Sequence, residues 1–262
     1  MGLVGKIRNR LSPLHGMMPA ADYWVVRRSG SFVPGSVTLF GRDILYSDGP
    51  GLLHSIEELF EREVYRFKAE TSQPYIIDAG ANIGLSILYF KRLYPDAKIL
   101  AFEPDPEIFP MLAQNVAQLS DVEVREVAAW TNDEELTFYS EGSLAGSTEL
   151  DFANKGNAVT IKAERLRDHI AKGPVDFLKI DIEGAENSVL FDIVDVLPNV
   201  RHLFFEYHSH PGKTQQLGEL LKLVTDAGFR YVVNGARAPR LPFVQKVSHG
   251  FDLQLDVSCF RG

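Results

Sequence analysis

Acidic and imidazole side chains come directly after several short apolar runs of this sequence. Asp78, Glu103, Asp181 and Glu206 each end such a run, and His208 follows the last of them. Carboxylates accept hydrogen bonds from hydroxyl groups, hold divalent cations and remove protons, and histidine titrates near neutral pH. If the runs are parallel strands of one sheet, their carboxyl ends meet at one edge. The sequence therefore predicts a polar site at that edge.

A glycine-containing turn follows the first apolar run and reads Asp78-Ala79-Gly80-Ala81-Asn82-Ile83-Gly84. Gly80 and Gly84 permit a tight turn to which a ligand can come close. Asn82 stands where G-x-G-x-x-G has its second glycine, so the turn disfavours a nicotinamide or flavin dinucleotide. Glu103, which lies 19 residues after Gly84, can accept hydrogen bonds from both hydroxyls of a ribose. The two motifs together indicate an adenosine-containing ligand that is held without a pyrophosphate grip.

Small residues follow the third apolar run. Ala128 and Ala129 leave room for an adenine ring against the backbone, whereas Trp130 is read as a core residue. Pro104, directly after Glu103, belongs to the same predicted edge. These positions complete the predicted ligand-binding set.

Asp181, Glu206 and His208 form a second candidate cluster. On an extended strand Glu206, His208 and His210 point to one face. Beside Asp181, they predict either a site for Mg²⁺ or Mn²⁺, or a catalytic site in which Asp181 or His208 removes a proton. A polar strand end that faces solvent is the third interpretation, and all three stay open.

The other polar residues have simpler interpretations. Glu183 and Glu186 are predicted to cap the helix that follows Asp181 and to complement its dipole. Surface or capping positions are predicted for the remaining histidines: His15, His54, His169, His202 and His249.

Strands and helices alternate along the part of the chain that carries these motifs. Apolar periodicity predicts strands at 75–77, 99–102, 122–128, 136–139, 159–161, 175–181, 200–206, 230–233 and 251–260. Helices are predicted at 56–69, 84–94, 163–172, 185–196, 214–227 and after the N-cap residue Asp105. This alternation predicts an α/β fold, in which a mostly parallel sheet has helices on both faces.

Residues 1–55 are predicted to be a separate amino-terminal extension, and residues 56–262 the main domain. Within the extension, Trp24-Val25-Val26 and Val37-Thr38-Leu39-Phe40 read as short strands. The basic terminus with Lys6, Arg8 and Arg10 is predicted to be frayed rather than to contact an anionic membrane surface.

Composition limits the classes of partner. The chain has 262 residues with a net charge of −8 and no long basic stripe, which disfavours nucleic acid. Cys259 is the only cysteine, so an internal disulfide and a cysteine-rich zinc site are excluded, as suits a cytoplasmic protein. No apolar run reaches membrane-spanning length. A homo-oligomer is compatible with the sequence.

Three segments together resemble the FkbM-type methyltransferase family. They are Ile77–Gly84, Phe102-Glu103-Pro104-Asp105, and Leu178-Lys179-Ile180-Asp181-Ile182-Glu183-Gly184-Ala185-Glu186. The third segment is the most distinctive, because many methyltransferases share the first two. The similarity covers roughly residues 56–233.

The resemblance implies a class I methyltransferase fold, which is Rossmann-like and doubly wound, with seven strands of which the last is antiparallel. It implies S-adenosylmethionine as the methyl donor, with Gly80, Asn82 and Gly84 around its methionine end and Glu103 on its ribose. It also implies O-methylation of a hydroxyl, often on a sugar of a glycan, lipopolysaccharide or natural product. Similar sugar methyltransferases outside the family use a divalent ion held by acids. Here His208 stands where a second acid is expected, which leaves the metal open.

Two of three alternative functions are disfavoured by the sequence, and the third stays open. An NAD-linked oxidoreductase or epimerase is disfavoured because this chain lacks the pyrophosphate-binding loop that such an enzyme needs. A non-catalytic cofactor-binding scaffold is disfavoured by the polar strand ends. An N-methyltransferase for an amino-bearing small molecule stays open, because the acceptor pocket cannot be read from the sequence. Its walls are predicted to be loop 140–150 and the amino-terminal extension.

Overall fold

A computed structural model describes Leu14, residues 16–139, residues 158–237, Pro239, Leu241, residues 243–244 and residues 251–262. The predicted loop 140–150, His15, His249 and the basic residues of the amino terminus lie outside the described residues. Within these ranges, no helix combines the length and the apolar character that crossing a membrane requires.

The strands are named in chain order. They are β1 (Gly35–Leu39), β2 (Arg42–Tyr46), β3 (Tyr75–Ala79), β4 (Lys98–Phe102), β5 (Val122–Arg125), β6 (Ala128–Trp130), β7 (Glu134–Tyr139), β8 (Ala158–Arg165), β9 (Val175–Ile180), β10 (Val200–Ser209), β11 (Arg230–Arg237) and β12 (Leu253–Phe260).

The α-helices are named in the same way. They are α1 (Ala20–Arg28), α2 (Gly49–Ile56), α3 (Leu85–Leu93), α4 (Phe109–Val116), α5 (Leu166–Ile170), α6 (Glu186–Asp192) and α7 (Leu217–Asp226). A π-helical turn, Glu57–Glu61, prolongs α2, and a 3₁₀ turn, Leu197–Asn199, precedes β10.

A seven-stranded sheet forms the centre of the fold, in the order β11-β12-β10-β9-β3-β4-β5. Neighbours from β10 to β5 are parallel, whereas β12 runs antiparallel between β10 and β11. The chain leaves β3 toward β4 on one side and later returns to β9 on the other. The strand order therefore reverses between β3 and β9, the place where ligands bind in open α/β sheets. This is the class I methyltransferase topology, and the predicted antiparallel final strand is confirmed.

Alternating side chains of the central strands feed two hydrophobic layers. Ile76 of β3 belongs to one cluster and Ile77, the next residue, to the other, as the two-residue repeat of a strand requires. The first cluster also contains Ile87 of α3 and, from the amino-terminal segment, Val26 and Ile44. Residues before position 56 are thus packed into the same core as the sheet, while the predicted division into two parts at residue 55 stays a prediction.

Two predicted elements of the amino-terminal half are wrong. Trp24-Val25-Val26 lies in α1, not in a strand, because only Val26 of the three is buried and the others face outward as on one helical turn. The helix predicted at 56–69 begins earlier and ends at Glu61. Asp48 starts it by accepting a hydrogen bond from Gly51 N at 2.6 Å, and Pro50 fits its first turn.

Two further boundaries differ in the middle of the chain. The strand predicted at 122–128 is broken after Arg125, and Ala128–Trp130 joins a separate three-stranded sheet in the order β6-β8-β7. The helix predicted at 163–172 is confined to α5, because β8 continues to Arg165. Both differences follow from pairing with β8, a long-range contact that local periodicity does not register.

Candidate active site

A cleft of about 500 Å³ opens beyond the carboxyl ends of β3, β4, β9 and β10. The turn after β3 and the residues after β4 line one part of it. Helix α2 and its π-helical turn form the facing wall. Phe251 and Gln254, at and before the start of β12, line it as well. The predicted ligand-binding edge and the predicted extension wall therefore surround one cavity.

The turn after β3 is held against the turn after β9. Gly80 has φ +85°, and a Cβ atom added there would overlap the backbone carbonyl oxygen of Asp181. Gly84, with φ +88°, begins α3 and packs on Leu112 and Val116 of α4. Glycine is thus required at both positions by the protein's own packing, and at Gly80 this brings two strand ends into backbone contact.

Glu103 joins the first two turns of the site. Its Oε2 accepts a hydrogen bond from Asn82 N at 2.8 Å, and its Oε1 accepts one from Asp105 N at 3.0 Å. Burial raises the pKa of this carboxyl to about 7, although the two backbone N–H groups work in the opposite direction. Each oxygen keeps a second lone pair for a ligand hydroxyl. The predicted ribose acceptor is therefore also a structural link.

Lys179 lies beneath the cleft between two carboxylates. Its Nζ is 3.3 Å from Asp78 Oδ1 and 3.4 Å from Asp181 Oδ2, and it donates a hydrogen bond to Gly80 O at 2.7 Å. Burial lowers the pKa of Lys179, but Asp78 and then Asp181 outweigh it, so the pKa lies above its ordinary value. Asp78 also accepts a 2.5 Å hydrogen bond from Ser86 Oγ. A buried cation thus ties the first turn of the site to Asp181.

Asp181, Glu206 and His208 do come together. One potential ligand atom from each lies within 4.8 Å of the others. Burial, and then Asp181, raise the pKa of Glu206 well above its ordinary value. Burial acts in the same direction on Asp181, but Lys179 and His208 outweigh it and lower that pKa. The pKa of Asp181 is thus lowered and that of Glu206 is raised, so Asp181 loses its proton more readily than its neighbour.

His208 lies behind this pair, not in the cleft. Its side chain has no exposed surface, with Nδ1 3.1 Å from Glu186 Oε1 and Nε2 3.4 Å from Glu183 Oε2. Nε2 is also 3.9 Å from Glu206 Oε2. Burial lowers the pKa of His208, but Glu186 and Glu183 outweigh it and raise the pKa well above its ordinary value. The imidazolium form therefore balances the carboxylates around it.

Glu186 organises the turn that carries Asp181. It accepts hydrogen bonds from Ile182 N at 3.0 Å and from Gly184 N at 2.9 Å, besides its contact with His208. Glu183, with φ +55°, occupies the tight part of this turn. The prediction that Glu186 caps the following helix is wrong, because its carboxylate binds N–H groups that precede the helix and joins β9 to β10 through His208.

The facing wall of the cleft carries hydroxyl, imidazole and carboxyl groups. Ser55, His54 and Glu58 line it, with His54 Nε2 3.5 Å from Glu58 Oε2. Burial, opposed by His54, raises the pKa of Glu58 above its ordinary value. Tyr65 adds a phenol to the same cavity, and its ring is fixed against Phe204 at a centroid distance of 4.7 Å.

The small residues after β5 line the opposite part of the cleft. Ala128 and Ala129 are buried at its surface beside Trp130. Trp130 is half-buried, and its Nε1 donates a hydrogen bond to Glu134 Oε1 at 3.0 Å. These residues line the same cleft as Glu103.

The remaining predicted positions behave differently. His169 is buried and its Nε2 is 3.0 Å from Glu164 Oε2, so its predicted surface position is wrong. His202 is partly buried, with Nδ1 2.9 Å from Asp176 O. His210 is buried with its ring 4.7 Å from that of Phe251. His54, in contrast, is exposed within the cleft.

Comparison with known proteins shows the family of this chain. The methyltransferase FkbM domain matches residues 78–231, more than half of the chain. The chain belongs to the FkbM-domain methyltransferases. Methyltransferase sdnD of Sordaria araneosa is 31% identical over 66% of this chain and 80% of its own length. It follows that the chain is an S-adenosylmethionine-dependent methyltransferase.

Two other relatives carry more specific names. The 2-O-methyltransferase NoeI of Sinorhizobium fredii is 26% identical over 53% of this chain and 65% of its own length. The 31-O-demethyl-FK506 methyltransferase FkbM of Streptomyces tacrolimicus is 27% identical over 60% of this chain and 73% of its own length.

Three residues of the FkbM-domain site lie outside the sequence-based set of site residues. Lys179 and Glu186 stand inside the quoted family segment, but the sequence gives no sign that their partners are Asp78 and His208, 101 and 22 residues away. Tyr65 lies within the helix predicted at 56–69 and carries no motif. The fold brings Lys179 and Tyr65 to the cleft and places Glu186 behind it.

Proposed function

We propose that this enzyme methylates a hydroxyl group of a neutral, sugar-like acceptor. The observation that carries the proposal is the carboxyl pair of Asp181 and Glu206, which lines the cleft between the donor turn and the polar wall of α2. Hydroxyl groups suit such a wall because they both donate and accept hydrogen bonds. The names of two relatives, a 2-O-methyltransferase and a 31-O-demethyl-FK506 methyltransferase, support oxygen as the methylated atom.

The donor is assigned to the half of the cleft formed by β3 and β4. Gly80, Asn82 and Gly84 surround its methionine end, and Glu103 accepts hydrogen bonds from its ribose hydroxyls. Pro104, Ala128 and Ala129 bound the adenine. Asp78 acts one layer below, because it is fully buried and holds Ser86 and Lys179. This arrangement leaves the sulfonium methyl directed toward the Asp181 side.

Transfer is an in-line displacement at the methyl carbon. The acceptor oxygen forms a bond to carbon while the carbon–sulfur bond breaks and its electron pair stays on sulfur. The hydroxyl proton passes to a base, for which we assign Asp181, since it lines the cleft and its lowered pKa keeps the carboxylate ionised and able to accept a proton. His208, buried behind the carboxyls, positions them and balances their charge. The products are a methyl ether and S-adenosylhomocysteine.

A divalent cation fits the same carboxyl pair. The geometry supports it: two carboxylate oxygens and an imidazole nitrogen lie within 4.8 Å of one another, and oxygen-rich sets suit Mg²⁺ or Mn²⁺. Asp181 and Glu206 would hold the ion, with His208 joining only in its neutral form. When bound, such an ion lowers the pKa of a coordinated hydroxyl.

The experiment is methyl transfer from S-adenosylmethionine to a panel of neutral sugars, hydroxylated macrolides and amino sugars, with products analysed by mass spectrometry and NMR. A methyl ether is expected, and a methylated amine would instead favour N-methylation. Chelator treatment followed by Mg²⁺ or Mn²⁺ tests the cation. The proposal would be contradicted if the enzyme bound S-adenosylmethionine but methylated no hydroxyl group of any acceptor.

Asp181→Asn is the matched variant. Loss of a general base lowers the rate by about 10²–10⁴-fold, while donor binding measured by calorimetry should persist. Asp226→Asn is the control, because Asp226 lies on the exposed face of α7, where it pairs with Lys222. If Asp181→Asn transferred the methyl group at the wild-type rate, Asp181 would not be the general base.

A further inference from the structure

The amino-terminal part of the chain differs sharply in charge from the rest. Residues 1–34 contain five of the 27 lysine and arginine residues but only one of the 35 acidic residues, so their net charge is +4 in a chain of net charge −8. The five basic residues are Lys6, Arg8, Arg10, Arg27 and Arg28. Such asymmetry points to a partner of negative charge.

Helix α1 displays two of these cations beside exposed apolar side chains. Trp24, Val25 and Val33 are 44%, 63% and 48% exposed. Trp24 and Arg28 are neighbours on one helical face, with the guanidinium 5.8 Å from the indole centre. Arg27 is exposed beside them. Exposed indole and aliphatic groups with arginines form the composition that enters the interface of a bilayer.

The acidic residue of this segment is turned away from that face. Asp22 Oδ2 accepts a hydrogen bond from Thr38 N of β1 at 2.8 Å, and Val26, on the same side, is completely buried. The inner side of α1 is thus committed to the protein core. Its outer side presents a surface that is basic and apolar, with no carboxylate of α1 on it.

This surface adjoins the wall of the active site. The backbone N–H of Phe32, just after α1, donates a 2.6 Å hydrogen bond to Asp48 Oδ2, and Asp48 lines the cleft. A flat partner that covers α1 would therefore lie next to the cleft.

We propose that α1 and the segment to Val33 dock this enzyme on a lipid bilayer that carries anionic headgroups. Trp24, Val25 and Val33 enter the interface, while Arg27 and Arg28 contact headgroup phosphates. Each arginine near an anionic surface contributes on the order of 1 kcal/mol, and the apolar contacts add to this. Docking is expected to be reversible and sensitive to salt.

The test is co-sedimentation of the full chain with vesicles of phosphatidylcholine alone or mixed with phosphatidylglycerol. Binding to the mixed vesicles only, weakened by salt, is expected. Neutralising both cations in Arg27→Gln/Arg28→Gln should lower partitioning about 30-fold. Trp24→Ser should lower it about tenfold by removing apolar area. Circular dichroism establishes that each variant is folded.

Val232→Ser is the control for Trp24→Ser, because Val232 lies on the edge strand β11 and is 48% exposed, close to the 44% of Trp24. It should bind like the wild type. The proposal would be overturned if the wild type did not bind anionic vesicles. It would also be overturned if the arginine and tryptophan variants bound them as strongly as the wild type does. Self-association in sedimentation velocity that Trp24→Ser abolishes would overturn it too, by assigning the surface to a second copy.

Discussion

Glu186 Oε1 lies 3.1 Å from His208 Nδ1, and the same carboxylate accepts hydrogen bonds from Ile182 N and Gly184 N. One buried acid thus fixes both the turn after β9 and the imidazole of β10. The position of Asp181 depends on this contact, although Glu186 does not line the cleft.

Glu186→Ala should be strongly destabilising. It leaves a buried imidazolium without its main partner, and removal of one member of a buried pair costs about 3–5 kcal/mol. Urea denaturation measures the loss. The control is Glu219→Ala on the exposed face of α7, which should change stability by less than about 0.5 kcal/mol. Similar urea midpoints for both variants would show that Glu186 contributes little to the stability of the turn.

Gly80→Ala should cost more than its backbone conformation alone explains. Gly41 has nearly the same φ, +80°, but nothing within 4 Å of an added Cβ. Gly41→Ala therefore isolates the left-handed strain of about 1–2 kcal/mol. Gly80→Ala adds a clash with the Asp181 carbonyl, so its free energy of unfolding should be lower still and donor binding should fail. Equal losses in the two variants would mean that the turn can move.

Glu103→Ala should weaken binding of S-adenosylmethionine about 10–100-fold, because each hydrogen bond to a charged group contributes about 1.5–3 kcal/mol. The variant also releases Asn82 N and Asp105 N. Calorimetry gives the affinity. Glu107→Ala, an exposed acid in the next turn, should bind like the wild type. Equal affinity in the Glu103 variant would exclude it from the ribose site.

Donor affinity should rise with pH. Burial places the pKa of Glu103 at about 7, and only the ionised carboxylate accepts bonds from both ribose hydroxyls. Protons therefore compete with the donor below this pKa and cease to do so above it. Affinity at about pH 6 should be roughly tenfold weaker than at about pH 8. Glu103→Gln should remove this slope, and a slope that persists would belong to another group.

The strand ends were predictable because each is an apolar run closed by a polar residue. Asp181 and Glu206 meet because β9 and β10 are adjacent, which follows from alternation of strands and helices. The strand prediction for Trp24-Val25-Val26 was wrong because β-branched and aromatic residues favour strands locally. In the fold only Val26 of the three is buried, as one face of a helix requires. The role of Lys179 could not be predicted from the sequence, since it depends on Asp78 and Asp181, which only the fold brings to its ammonium group.

The shared core of α1, β2 and α3 has an evolutionary consequence. Because Val26 and Ile44 are buried with Ile87, the segment to which we assign a wall of the acceptor pocket cannot be exchanged between homologues as an independent module. Changes of acceptor preference are more accessible at His54 and Ser55, which face the cleft without belonging to that core. Diversification of substrate range in this lineage would then proceed by single substitutions on α2, with the donor half inherited unchanged.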